Sequence, residues 1–170
     1  RRRRRRFSTN RIYTLRLTRQ FQFKINKQLI FNADYITFAL DDFLQAVPNP
    51  HTLNFEDYRI KLAKMEMRPT GGHYTGFGHT AVIQDSRITR FKTTADPLAP
   101  FDGAKKWFVS RGFKRLLRPK PQITIEGPNS AGTKVRHYGI AFSFPQPEQT
   151  VTKLTLYVQF RQFAPNNPST

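Results

Sequence analysis

Residues 13–25 read YTLRLTRQFQFKI, and this stretch decides the fold. Tyr13, Leu15, Leu17, Phe21, Phe23 and Ile25 fall on one side of an extended chain. Thr14, Arg16, Thr18, Gln20, Gln22 and Lys24 fall on the other, and only Arg19 interrupts the apolar row. A period of two over this length predicts a long strand with one face buried. Near the other end of the chain, Thr152, Leu154, Leu156, Val158 and Phe160 alternate with Lys153, Thr155, Tyr157, Gln159 and Arg161 in the same way.

Between these two strands the pattern repeats in shorter pieces. Residues 35–40, 58–67, 79–83, 88–91, 105–110 and 122–125 read as extended, and Tyr138, Ile140, Phe142 and Phe144 alternate again. Within 58–67 the apolar phase slips by one residue, which predicts a bulge near Ala63. Residues 41–46 allow one helical turn capped by an Asp, stopped by Pro48 and Pro50. About eight strands with few helical patterns predict an all-β fold, an eight-stranded antiparallel jelly-roll sandwich. An up-and-down barrel or an OB-fold is the alternative. The expected division is an arginine-rich arm over 1–10, one domain over 11–163 and an irregular tail over 164–170.

The 170 residues carry 29 Lys+Arg against 11 Asp+Glu, so the net charge is 29 − 11 = +18. Hydrophobic residues make up 38%, with 16 Phe and 6 Tyr, enough for a core and too much for a disordered basic condenser. The absence of Cys excludes disulfides, thiolate metal sites and a cysteine nucleophile. No stretch reaches the roughly 18 apolar residues of a membrane span, so no membrane insertion is expected. The chain opens without Met inside an arginine run, and is expected to continue upstream.

Catalytic chemistry finds no foothold. His51, His73, His79 and His137 lack partners at metal-ligand spacing. Gly71–Gly78 is glycine-rich but lacks the Lys-Ser/Thr of a phosphate loop. Asp41 and Asp42 are adjacent and point apart, and Ser86 and Ser110 have no nucleophile-elbow context. The expectation is a protein that is not an enzyme and uses no cofactor or metal.

What remains is charge and aromatic surface. Arg1, Arg2, Arg3, Arg4, Arg5 and Arg6 form an unbroken run, followed by Arg11, Arg16 and Arg19. Guanidinium groups stay ionised and fork onto phosphate oxygens, so nucleic acid is the expected partner, bound without base specificity. The alternatives for such a run are a solvated tail or a nuclear import signal, either of which is compatible with binding. A second basic cluster comprises Lys105, Lys106, Arg111, Lys114, Arg115, Arg118 and Lys120, interleaved with Trp107, Phe108, Phe113, Leu116 and Leu117. Its aromatics either stack bases or belong to the core and subunit contacts, the second being preferred for a β-rich chain. The surplus of Phe points to protein–protein interfaces.

Six segments carry a resemblance: RIYTLRLTRQFQFKI (11–25), LIFNADYITFALDDFLQAVPNP (29–50), NFEDYRIKLAKMEMRPTGGHYT (54–75), PFDGAKKWFVSRGFKRLLRPKPQITIE (100–126), RHYGIAFSFPQPEQT (136–150) and TKLTLYVQFRQFAPNNPST (152–170). Together they cover nearly the whole chain, which resembles the capsid proteins of circoviruses. Members of that family have a longer arginine-rich region and longer loops near 28–29, 75–76, 96–97, 126–127 and 150–151. The resemblance implies a jelly-roll subunit of a small T=1 icosahedral shell, a homo-oligomer built from pentamers, found in the virion and in the host cell nucleus. It implies packaging of circular single-stranded DNA by an inward-facing arm, carried here by Arg1–Arg6 and Arg11. The arm would also engage the host nuclear import machinery. Outward loops would meet a host-cell receptor such as a sulfated glycan. The rival reading is a monomeric single-stranded nucleic-acid-binding β-barrel module.

Overall fold

The structure, a computed structural model, describes residues 11–23, 30–45, 57–70, 75–85, 95–124, 127–128, 132–145 and 150–162. Ten strands follow in chain order: β1 (Arg11–Gln22), β2 (Asn32–Phe38), β3 (Asp57–Pro69), β4 (Phe77–Ile83), β5 (Lys105–Phe108), β6 (Phe113–Leu117), β7 (Ile123–Thr124), β8 (Gly127–Pro128), β9 (His137–Phe144) and β10 (Thr150–Gln162). One helical turn, α1 (Asp41–Leu44), follows β2. Eight of the strands form two four-stranded antiparallel sheets, in the orders β1-β10-β3-β6 and β2-β9-β4-β5. Strands β7 and β8 pair separately as a small ribbon. First and last strands lie side by side, and among the eight sheet strands the chain crosses between sheets at every step except β4 to β5, which pair with each other. That is the wound sandwich of a jelly roll rather than a barrel.

Alternation fixes which side chains enter the core. Leu17, Leu156 and Ala63 stand opposite one another across β1, β10 and β3, and all are buried. Leu154, Val158, Met65 and Met67 extend this layer, which meets Ile140, Phe142 and Phe144 of β9. Phe23 continues the β1 row into the same core. Its ring lies edge-on to Phe142 at 5.1 Å and to Phe144 at 5.8 Å. Such edge-to-face pairs place positive ring edges on negative faces.

Three local expectations are corrected. The bulge lies at Lys61, because Tyr157 pairs with Leu62 while Val158 pairs with Ile60. That is two residues before Ala63, which keeps its pairing and stays buried. Leu40, not an Asp, holds the helix N-cap position, and Asp41 and Asp42 lie in the first turn. Of the apolar row of β1, Leu17 is buried and Phe21 and Phe23 are half-buried. Tyr13 is 42% and Leu15 36% exposed, because β1 is the edge strand of its sheet. Residues 113–117, read only as part of a basic cluster, form a strand. A turn joins it to β5, with Arg111 N and Gly112 N donating to Phe108 O at 3.0 and 3.1 Å. Gly112 takes φ +70°, where a Cβ would lie 2.2 Å from Met67 O. The expected strand 88–91 lies outside the described residues.

The second sheet is covered on its outer side. Leu98 and Phe101 pack on Ala81, Ile83, Ala141 and Tyr35. Asp96 anchors this cover, pairing with His79 Nδ1 at 2.6 Å and accepting from Ser143 Oγ at 2.6 Å and Leu98 N at 3.0 Å. Burial raises its pKa, but hydrogen bonds from Ser143, His79 and Leu98 outweigh that and hold the carboxyl below its ordinary range.

Candidate nucleic-acid interface

The outer face of the first sheet is a register of cations. Strand alternation sends Arg16 of β1, Lys153 and Arg161 of β10, Arg59, Lys64 and Arg68 of β3, and Lys114 of β6 to the side away from the core. Among the described residues of these strands, only Asp57 and Glu66 share that face, so its charge there is 7 − 2 = +5. Lys64 Nζ lies 2.9 Å from Glu66, and Arg161 Nη1 lies 3.4 Å from Asp57. The hydrogen bond from Lys64 lowers the Glu66 pKa against the opposing effect of burial, and the charges of Lys64, Lys114 and Lys153 lower it further. Cations on neighbouring strands roughly 4.8 Å apart cannot neutralise each other, and the exposed ones, Arg16, Arg59, Arg68, Lys114 and Arg161, focus positive potential over the sheet. Lysine and arginine there can take phosphate oxygens without reading bases.

The cations expected from the sequence fall into three environments. Arg16 and Lys114 sit on this face. Arg19 shares the core-side row of β1 opposite Leu154, yet is exposed, with its guanidinium 5.7 Å from the Phe21 ring centroid. Lys105, Lys106 and Arg111 lie at the far edge of the second sheet, all exposed. There Lys106 Nζ stands 3.6 Å over the Phe77 ring, and Arg111 stands 5.9 Å from Phe108. Phe77 is 44% and Phe108 50% exposed, an aromatic pair facing solvent between cations. Trp107, by contrast, is buried and donates to Ser143 O at 2.9 Å.

Arg115 behaves differently. Its pairing with Met65 puts it on the inner row of β6, and its Nη2 donates to Thr80 O at 2.8 Å and to Gly103 O at 3.2 Å. Burial lowers its pKa, though a guanidinium remains charged. It ties the two sheets together at their edge. Arg118 and Lys120 leave β6 on the exposed crossing to the second sheet. Residues 1–10 lie outside the described residues, as does the side chain of Arg11. Arg59, Arg68 and Lys153 were not singled out from the sequence. The signal was present, since each occupies the polar phase of a strand whose other phase is apolar.

A Ser, a His and an Asp do converge at Ser143, His79 and Asp96, but with the carboxylate in the middle. Ser143 Oγ donates to Asp96, so its proton is not offered to the imidazole as a nucleophile's would be. The arrangement fastens a loop. Among the described residues, no helix is long and apolar enough to cross a membrane.

Comparison with known proteins gives consistent matches. The family described as Circovirus capsid protein matches residues 1–131. The capsid protein of beak and feather disease virus is 78% identical over 207 aligned positions, covering 97% of this chain and 84% of that protein. The probable capsid protein of canary circovirus is 38% identical, covering 91% of this chain and 80% of that protein. Among solved structures, a 60-mer BFDV capsid protein shares 79% identity at a TM-score of 0.79, covering 96% of this chain and all of that one. A decameric BFDV capsid protein shares 82% at 0.72, covering 89% of this chain and all of that one. A desmodium yellow mottle tymovirus chain, 12% identical at 0.50 and covering 94% of this chain and 93% of that one, shares the fold alone.

Proposed function

The chain belongs to the circovirus capsid protein family, and from that premise we propose that it assembles with copies of itself into a 60-subunit T=1 shell, through pentamers, and packages circular single-stranded DNA. The observation that carries the packaging half is the +5 outer face of the first sheet, continuous in sequence with the arginine arm at the start of β1. The six arginines of the arm and the cations of this face both take phosphates with low specificity. Their repulsion opposes assembly until genome phosphates cancel it. Support for assembly comes from the 60-mer and decamer of the similar proteins, and from the exposed Tyr13 and Leu15 on an edge strand. Closed rotational symmetry would bury such edges. The arm also serves nuclear import, placing the protein in the virion and in the host nucleus, and the outer surface meets a sulfated glycan or another receptor.

The test is the salt dependence of single-strand binding. If the arm neutralises about six phosphates, replacing Arg1–Arg6 by Ala lowers the slope of log K against log salt by about 4. Replacing Arg16, Arg68, Lys114 and Lys153 together lowers it by about 3. Unchanged slopes in both variants contradict the reading. A lone module of the OB type does not have this sheet order, so the rival reading loses its barrel and keeps a monomer that binds single strands.

A further inference from the structure

A cavity of about 750 Å³ lies where β6 leaves β3. Strand β6 pairs with β3 only from Ala63 to Met67. Beyond Leu117 the chain reads Arg118-Pro119-Lys120-Pro121, and prolines have no N–H to continue the ladder. It crosses instead to the second sheet, where Pro121 bridges His137 and Tyr138 N donates to Lys120 O at 2.9 Å. The first half of β3 is thereby left without a β6 partner along that edge, and the hollow forms between it, the crossing and residues 132–137. Tyr58 closes one wall, its hydroxyl donating to Gly132 O at 2.9 Å.

The lining is of two kinds. Arg59, Lys61, Arg118 and Lys120 supply four exposed cations, none in an ion pair among the described residues. The one carboxylate, Asp57, is 3.4 Å from Arg161. Tyr58, Ile60, Pro119 and Val135 supply an apolar wall, and His137 is buried and held neutral by that burial. Oxyanions suit the first kind, and a flat ring suits the second. A sulfated sugar has no use for the apolar wall.

We infer that this hollow is a nucleotide-binding site, holding phosphate on Arg59, Lys61, Arg118 and Lys120 and a base against the half-buried Tyr58 and Val135. The inference extends the packaging reading, because nucleic acid supplies the ligand in both, but the two fail separately. The nucleotide arrives either free or as a unit of a single strand.

The probes are dTTP and 5′-phosphorylated tetrathymidylate, titrated calorimetrically into the full chain carrying Ala at positions 1–6, so that the arm does not compete. Saturable binding of one dTTP per chain is expected. Arg118→Ala with Lys120→Ala should weaken it at least tenfold, while Lys105→Ala with Lys106→Ala changes it less than twofold. Circular dichroism and melting temperature should match in all variants. Competition by the tetranucleotide assigns the ligand to the strand, and its absence assigns it to free nucleotide. Absence of dTTP binding, an unaffected Arg118/Lys120 variant, or equal affinity for a sulfated heparin disaccharide overturns the site. Failure of the packaging reading shows as unchanged salt slopes in the Arg1–Arg6 and the Arg16/Arg68/Lys114/Lys153 variants, and failure of the site as unchanged dTTP affinity in the Arg118/Lys120 variant, so the two are distinguishable.

Discussion

Phe23 is the residue on which the strand phase turns. Its ring touches Phe142 and Phe144 edge-on from the end of β1. Phe23→Ala should cost about 2 kcal/mol, roughly half the price of a fully buried Phe. Phe23→Asp should abolish folding by placing an unpaired charge against two aromatic rings. Denaturant unfolding checks both, and a stable Phe23→Asp protein would reverse the phase of β1. His137 answers to pH. Burial lowers its folded-state pKa below the ordinary value near 6.5, against hydrogen bonds to backbone carbonyls that raise it. The unfolded chain therefore takes up the proton first. The stability from a neutral His137 is present above about pH 6.5 and is lost as pH falls through its folded value. His137→Gln should flatten the melting temperature between about pH 6.5 and pH 5. An unchanged slope there would show that His137 does not carry this dependence. Asp96 acts lower down, since its depressed carboxyl contributes above about pH 4 and is lost below it.

Elements show where sequence reading succeeds. Strands β1, β3 and β10 were legible because their hydrophobicity alternates between a core side and a polar side, and β9, buried on both faces, was legible because small or polar Gly139, Ala141 and Ser143 still alternate with Ile140, Phe142 and Phe144. Strand β6 was not, because its FKRLL carries Arg115 on the core-side row and the exposed Leu116 on the solvent side. The inner Arg is tolerated since Thr80 O and Gly103 O receive its guanidinium. Its substitution tests that role. Arg115→Met should cost about 1–3 kcal/mol through lost charge-assisted hydrogen bonds and leave single-strand binding unchanged. A drop in binding at normal stability would return Arg115 to the nucleic-acid surface. The bulge was legible as a one-residue slip but not to the residue, since the slip has several registers that bury the same Met65 and Met67. Cations on the first sheet were partly legible. Arg16 stood out in the arginine-rich start, whereas Arg59, Arg68 and Lys153 emerge only when β1, β10 and β3 are laid side by side.

For the whole molecule, a stiff sandwich is combined with an excess of +18 and an edge strand that leaves Tyr13 and Leu15 in water. Neither feature suits a lone soluble domain, and mutual burial with an enclosed polyanion resolves both. Tyr13→Lys with Leu15→Lys should therefore block assembly while the subunit still folds, seen as normal melting of a species that no longer forms particles. The most direct measurement is sedimentation velocity of the purified chain, read at 260 and 280 nm, with and without added single-stranded DNA. The account predicts a closed particle of many subunits carrying nucleic acid, and its loss when Arg1–Arg6 are replaced by Ala. A single species near 19.9 kDa that ignores the DNA at every concentration would contradict it.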